Sequence, residues 1–252
     1  MAIFGSHTTR IKTGLALVGA VLALGYIDNF FLMWLFLGAT YLLAFNEAAK
    51  LFGLERHNLT KYAAFLWLLA AIYPYGDDLF VLAGIFYAAL VAYDPQEKDW
   101  KDFLPFIYPT AGMLFILTLY VEYGVHALLW LLVVVAMSDV GAYFVGKAIG
   151  KTKFSPTSPN KTMEGVVGGI VVATLSGMFV GEATVGLLIA FFISFGVSVS
   201  SIFGDLFESF LKRQAGVKDS GDLLPGHGGV LDRIDGYLFG AIVMLVLLRG
   251  LV

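Results

Sequence analysis

Apolar segments follow one another almost from end to end of this chain, separated only by short polar breaks. A membrane-spanning helix needs about 20 apolar residues, with a range of about 17–25. Cutting at the polar and turn-forming breaks leaves nine candidates: 12–27, 30–47, 61–76, 79–94, 103–121, 126–148, 165–181, 183–204 and 236–251. Several are short, the last especially. No stretch remains for a separate soluble domain. Of the 252 residues, 59% are hydrophobic and 14% charged, against about 25% charged in a soluble domain. The expected fold is therefore an all-α polytopic membrane protein. The first segment lacks a cleavage site and reads as a retained span. With no cysteine, disulfides and thiolate metal sites are excluded.

The basic residues set the orientation independently. If the N-terminus is cytoplasmic, nine crossings place Arg10, Lys12, Lys50, Arg56, Lys61, Lys98, Lys101, Lys147, Lys151, Lys153, Lys161, Lys212, Arg213, Lys218 and Arg233 inside. Only Arg249 falls outside, whereas the outer turns carry Asp28, Asp77, Asp78, Glu122 and Glu182. Positive charge gathers on the cytoplasmic side of membrane proteins. Moving one early crossing would scramble the pattern. The expected topology is about nine helices, N-terminus in and C-terminus out.

Residues 1–125 read as scaffold and 126–252 as the chemical half, with cytoplasmic loops at 149–164 and 205–235. In the scaffold, aromatic residues such as Phe30, Trp34 and Tyr73 lie near the expected interfaces. Glu47 and Lys50 close the second helix at its cytoplasmic end, and a lipid-access groove is an alternative role for them. In the chemical half, Gly165, Gly169, Ala173, Gly177 and Gly181 recur every fourth residue, as do Gly196, Ser200 and Gly204. Small residues at that spacing let helix backbones approach closely, against each other or against a third helix.

The eighth segment carries Ser194, Ser198, Ser201, Asp205, Glu208 and Lys212 on one helical face. Ser194 and Ser198 read as locally satisfied hydroxyls, but an acid such as Asp205 within a membrane bundle is costly without a partner. Asp139, inside the apolar sixth segment, likewise calls for a partner from another helix if buried. Gly150-Lys151-Thr152 resembles the end of a phosphate-binding loop, yet the spacing to the preceding glycine and the absence of a strand reject it. Thr162-Met163-Glu164-Gly165 opens a helix whose amides favour a phosphate.

Dense charge of both signs gathers between Gly204 and Gly236. Asp205, Asp219, Asp232 and Asp235 offer hard oxygen ligands for magnesium, which uses one or two carboxylates plus water and substrate phosphates. Such ions hold the attacking and leaving oxygens of an in-line phosphoryl reaction. Lys161, Lys212, Arg213, Lys218 and Arg233 can neutralise phosphates. Gly226, Gly228 and Gly229 around His227 permit close backbone approach. These residues describe a membrane enzyme handling a phosphorylated substrate from the cytoplasmic side.

The order of residues is more specific. Ser209, Leu211-Lys212-Arg213, Lys218-Asp219, Gly221, Leu224-Pro225, His227-Gly228-Gly229-Val230 and Asp232-Arg233-Ile234-Asp235 closely resemble the signature of the phosphatidate cytidylyltransferases. Ser138-Asp139-Val140-Gly141-Ala142-Tyr143-Phe144, Ser158-Pro159-Asn160-Lys161-Thr162 and Glu164-Gly165 are similar to the same family. The resemblance covers Ser138 to Gly236, while the first half is similar only in hydrophobic layout. It implies transfer of a cytidylyl group from CTP to phosphatidic acid, giving CDP-diacylglycerol and pyrophosphate. It further implies dependence on magnesium, with potassium as a possible second ion, held by aspartates that match Asp205 and Asp232, with Asp219 and Asp235 as further candidates. Substrate binding falls to Lys161, Lys212, Arg213, Lys218, Arg233, Ser158 and Asp139. His227 either moves a proton, contacts pyrophosphate or only shapes its glycine-rich turn. The resemblance implies a homodimer in a bacterial inner membrane, its site facing the cytoplasm, with no nucleic-acid partner. A CTP-dependent lipid-alcohol kinase is the nearest alternative and releases CDP instead of pyrophosphate. A secondary transporter is more distant, because no internal repeat is visible and the charges cluster in loops. The expected site is a polar cavity at the inner membrane face, walled by the sixth to eighth helices and covered by the 214–235 loop.

Overall fold

In hydrocarbon a backbone must satisfy its own hydrogen bonds, so apolar segments of this length become helices. The computed structural model describes residues 2–54, 59–73, 75–94, 96 and 100–252, with side chains from Thr13 onward apart from residue 15. Arg56 and Lys98 of the expected inner charge set lie outside the described residues, as do the side chains of Arg10 and Lys12. The main helices are α1 (Ala2–Ile27), α2 (Phe30–Leu51), α3 (Thr60–Ala70), α4 (Leu79–Tyr93), the single turn α5 (Leu104–Ile107), α6 (Thr110–Ile149), α7 (Met163–Val185), α8 (Leu187–Gln214) and α9 (Leu231–Leu251). Among the described residues there is no strand, only isolated bridges at Lys153–Thr162 and Leu224–Gly228. Among the described residues six stretches are long and apolar enough to cross a membrane: Phe30–Leu51, Gly76–Tyr93, Trp100–Ile149, Met163–Val185, Leu187–Gln214 and Leu231–Leu251. This is an all-helical integral membrane protein.

Local chemistry sets several boundaries. Asn29 caps α2, its side-chain oxygen accepting from Leu32 N at 3.2 Å. Thr162 caps α7 in the same way, through Gly165 N at 3.2 Å. Within α6 the backbone leaves helical geometry at Gly124, with φ 72° and ψ −174°. Glycine adopts that φ without steric cost, and the break divides the apolar segments 103–121 and 126–148. The polar stretch 205–235 is divided too. Helix α8 carries Asp205, Glu208 and Lys212 on to Gln214, and α9 already begins at Leu231. Helix α9 is therefore longer than its apolar core of 236–251, because acids in a first turn are favoured by the helix dipole and leave no hydrophobic signal.

The chain forms two compact units, residues 1–117 with 214–234 and residues 118–213 with 235–252. The first is organised by aromatic packing. Trp34 and Trp67 each donate an indole N–H to the other's carbonyl, at 3.2 and 3.1 Å. Tyr41 packs on Trp67 and bonds Thr110 at 3.0 Å, and Phe45 meets Phe106 edge-on.

The second unit is organised by small residues. A Cβ built on Gly165 would meet Ala142 O at 2.8 Å, and one on Gly169 would meet Ser138 O at 2.6 Å. On Gly177 it would clash with Val134 on α6 and fall 2.5 Å from Ser194 Oγ on α8, and on Gly181 it would clash with the Trp130 ring on α6. The stripe on α7 thus faces α6, where Ser138, Ala142 and Gly146 form a reciprocal small-residue row. The opposite side of α7 presents Val167, Val171, Leu175 and Phe179 outward, as a lipid-facing surface requires. On α8, Gly196 faces Leu247 and Gly204 faces Asp235 O and Phe239, both on α9.

Candidate active site

In the second unit the loop between α6 and α7 is held in a defined shape. Phe154 N donates to Lys161 O at 2.9 Å, Met163 N to Thr152 O at 2.9 Å, and Lys161 N to Ser158 O at 3.1 Å. The Glu164 carboxylate returns across the loop, accepting from Lys151 N at 3.1 Å and from the Thr152 hydroxyl at 3.0 Å. So braced, Lys161 extends its ammonium to the Asp205 carboxylate on α8, an ion pair between residues 44 apart in sequence. Asp205 also accepts from the Ser209 hydroxyl at 3.4 Å. Asp235 on α9 interacts electrostatically with Asp205, Asp139 and Lys212. Its own carboxylate accepts from Gly236 N at 2.8 Å.

Lys212 pairs with fully buried Glu208 one turn earlier on α8, and Arg213 is exposed beyond it. Ser198 is satisfied locally, donating to Phe195 O at 3.0 Å, whereas Ser194 accepts from the Trp130 indole on α6 at 2.9 Å, a partner on another helix and not the local one expected. Asp139 is exposed, not sunk among apolar side chains, so the buried partner expected for it is not required, and it faces Asp235 as a like charge.

In the first unit, residues 214–230 fold back through a tight turn. Leu224 N donates to Gly228 O at 2.9 Å and His227 N to Leu224 O at 2.8 Å. Gly228 has φ +82°, and a Cβ there would fall 2.7 Å from Asp232 Oδ2. That oxygen accepts from Gly229 N at 2.7 Å and Ser220 N at 3.0 Å. The Asp232 carboxylate therefore ties both ends of the loop to the start of α9. The His227 ring lies beside α1, where a Cβ on Gly14 would be 3.6 Å from Nε2. Asp219, Lys218 and Arg233 are exposed around this turn.

One participant is not among the site residues expected from sequence, which placed it only at the end of the second helix. Glu47, buried in the last turns of α2, accepts from Ser220 Oγ at 3.0 Å, Val230 N at 3.0 Å and Leu231 N at 2.8 Å. Its only sequence signal is an acid within an otherwise apolar helix.

Residues 8–251 match the cytidylyltransferase family. The chain belongs to that family. It is 42% identical over 243 residues to a phosphatidate cytidylyltransferase of Helicobacter pylori, covering 95% of this chain and 91% of the relative. To the enzyme of that name in Thermotoga maritima it is 36% identical over 208 residues, covering 73% and 77%. To that of Bacillus subtilis it is 48% identical over 122 residues, about half of each chain.

Within this cytidylyltransferase, then, the structure joins Lys161 to Asp205 and joins Asp232 to Ser220 and Gly229. Among the described residues, no three His, Cys, Asp or Glu side chains converge as a closed metal cage. Magnesium does not require one, since substrate phosphates and water complete its shell. The donors fit a hard cation. Asp205 already holds an ammonium, and Asp235 lies within electrostatic reach of it.

Proposed function

We propose that this chain transfers a cytidylyl group from CTP to phosphatidic acid, forming CDP-diacylglycerol and pyrophosphate. The observation that carries the reading is near-full-length similarity to the Helicobacter pylori phosphatidate cytidylyltransferase, spanning both the loop before α7 and the stretch from α8 to α9. A phosphate oxygen of phosphatidic acid attacks the α-phosphorus of CTP. The bond from that phosphorus to the bridging oxygen breaks in line, and pyrophosphate departs. Phosphatidic acid is already anionic near neutral pH, so the chain need not supply a strong base.

The chain must instead overcome repulsion between two anions and hold them in line. Lys161 is the residue best prepared to bind a CTP phosphate, because its loop is braced by Glu164 and its ammonium sits partly exposed at Asp205. Lys212, Arg213, Lys218 and Arg233 add positive charge for the phosphates, with Ser158 and Asp139 as further substrate contacts. Asp205 and Asp232, with Asp219 and Asp235 as further carboxylates, would hold magnesium, and potassium is the second ion of this reading. When bound, magnesium neutralises charge on the phosphates. His227 moves a proton, contacts pyrophosphate or only shapes its glycine-rich turn.

The finer topology of this reading has nine crossings in a bacterial inner membrane, with the N-terminus and the site on the cytoplasmic side and a homodimer as the working form. Its placement of the C-terminus on the same side as the outer turn at Glu122 is supported by Arg249, which pairs with that acid at 2.5 Å. The test is turnover in detergent micelles containing phosphatidic acid, with magnesium and CTP labelled at the α-phosphate. Label in the lipid with release of pyrophosphate is expected. Release of CDP, with no α-label in lipid, would instead identify a lipid kinase.

A further inference from the structure

The 214–231 segment is clamped by two carboxylates, of which only Asp232 belongs to the family-like motif. Ser220 gives its N–H to Asp232 and its hydroxyl to Glu47. Gly229 N goes to Asp232, whereas the next two amides, of Val230 and Leu231, go to Glu47. Those last amides belong to the start of α9, where helix donors have no partner within the helix and a negative charge is favoured. Glu47 thus caps α9 from a helix 184 residues earlier in sequence.

The fit is close on every side. A Cβ on Gly221 would fall 2.6 Å from Glu47 Oε1, and one on Gly229 would fall 2.5 Å from Glu47 Oε2. Glycines 221 and 229 of the motif therefore make room for this carboxylate. Glu47 has only 7% of its surface exposed, and a buried charge persists only where donors replace its water.

We propose that Glu47 is a positioning residue of the reaction, holding Ser220 and the first turn of α9 so that Asp232 keeps one orientation. The inference rests on the cytidylyltransferase reading. Both Glu47 oxygens are already taken up by Ser220, Val230 and Leu231, so it acts through Asp232. It removes the freedom of a loop that otherwise would have to be ordered at each turnover. Glutamine cannot replace it. The Ser220 hydroxyl can rotate to accept from an amide, but one of the two backbone N–H groups must then face an NH2 and lose its acceptor.

The test uses full-length Glu47→Gln and Ser220→Ala proteins in detergent beside the wild type. Loss of a charge-assisted bond predicts a fall in kcat/KM for CTP of about 10- to 100-fold in Glu47→Gln. The magnesium concentration giving half-maximal rate should rise, while KM for phosphatidic acid stays within about twofold of the wild type. Amide exchange should quicken in peptides covering 216–233 and remain unchanged in α7 and α8. Ser220→Ala, which removes one donor of the three, should shift the magnesium response in the same direction by a smaller factor and keeps the test decisive if Glu47→Gln does not fold. Unchanged CTP kinetics in either folded variant overturns the proposal. So does exchange that quickens evenly along the chain, which would make Glu47 a scaffold residue only. Wild-type protein that fails to convert CTP and phosphatidic acid, yet shows the local exchange difference, would refute the reaction and leave the clamp standing.

Discussion

Replacing Gly169 by alanine would separate α6 from α7 at the point where their backbones are closest to touching. A Cβ built on Gly169 falls 2.6 Å from Ser138 O, 3.1 Å from Ala142 Cβ and 3.2 Å from Ala142 N. Ordinary contact begins at 3.4 Å, so Ser138 O must recede by about 0.8 Å, the difference between 3.4 and 2.6 Å. The obstacle is main chain and cannot rotate away. Such overpacking costs about 1–3 kcal/mol, of which alanine's helix propensity returns up to about 1 kcal/mol. The net loss should be about 1–2 kcal/mol. Activity should suffer more than stability, because α7 begins beside Lys161 and a shift near 1 Å at a reacting group costs up to about 100-fold. Thermal unfolding in detergent measures the first effect, and the kcat/KM for CTP the second. Val167→Ala, on the outward face of α7, is the control and should leave the rate unchanged. If Gly169→Ala unfolds and turns over as the wild type does, the close α6–α7 contact does not hold the Lys161 loop in place.

Other outcomes follow from the same geometry. Asp205→Asn and Asp232→Asn should each lower turnover at saturating magnesium by at least about 100-fold while the protein remains folded; near-wild-type rates in either variant would remove that residue from the metal site. Asp219→Asn should also be severely impaired in the same assay. Lys161→Ala should raise KM for CTP more than it lowers the melting temperature, and unaltered CTP kinetics would reduce the lysine to a charge anchor. Arg249→Ala breaks a partly exposed pair with Glu122, so unfolding in detergent should change by less than about 1 kcal/mol, with turnover unaffected.

Helical class and membrane residence were legible in the chain because hydrocarbon admits so few backbone solutions. The face of α8 bearing Ser194, Ser198, Ser201, Asp205 and Glu208 was legible as well, since residues three and four apart share a face in any helix. Spacing also showed that Gly165, Gly169 and Gly177 would meet a close neighbour. It did not say which, although Ser138, Ala142 and Gly146 carry the complementary row.

What tertiary structure alone decided is which charges meet. Lys161 and Asp205 are 44 residues apart, and several other basic residues offered the same charge to the same acid. Glu47 was further from reach, because two of its three donors are the backbone amides of Val230 and Leu231. Every residue except proline carries such an amide, so no side-chain pattern marks the ones that an acid will find. Side-chain type and spacing describe a helix's faces; only the fold brings a buried carboxylate on α2 to the unsatisfied first turn of α9.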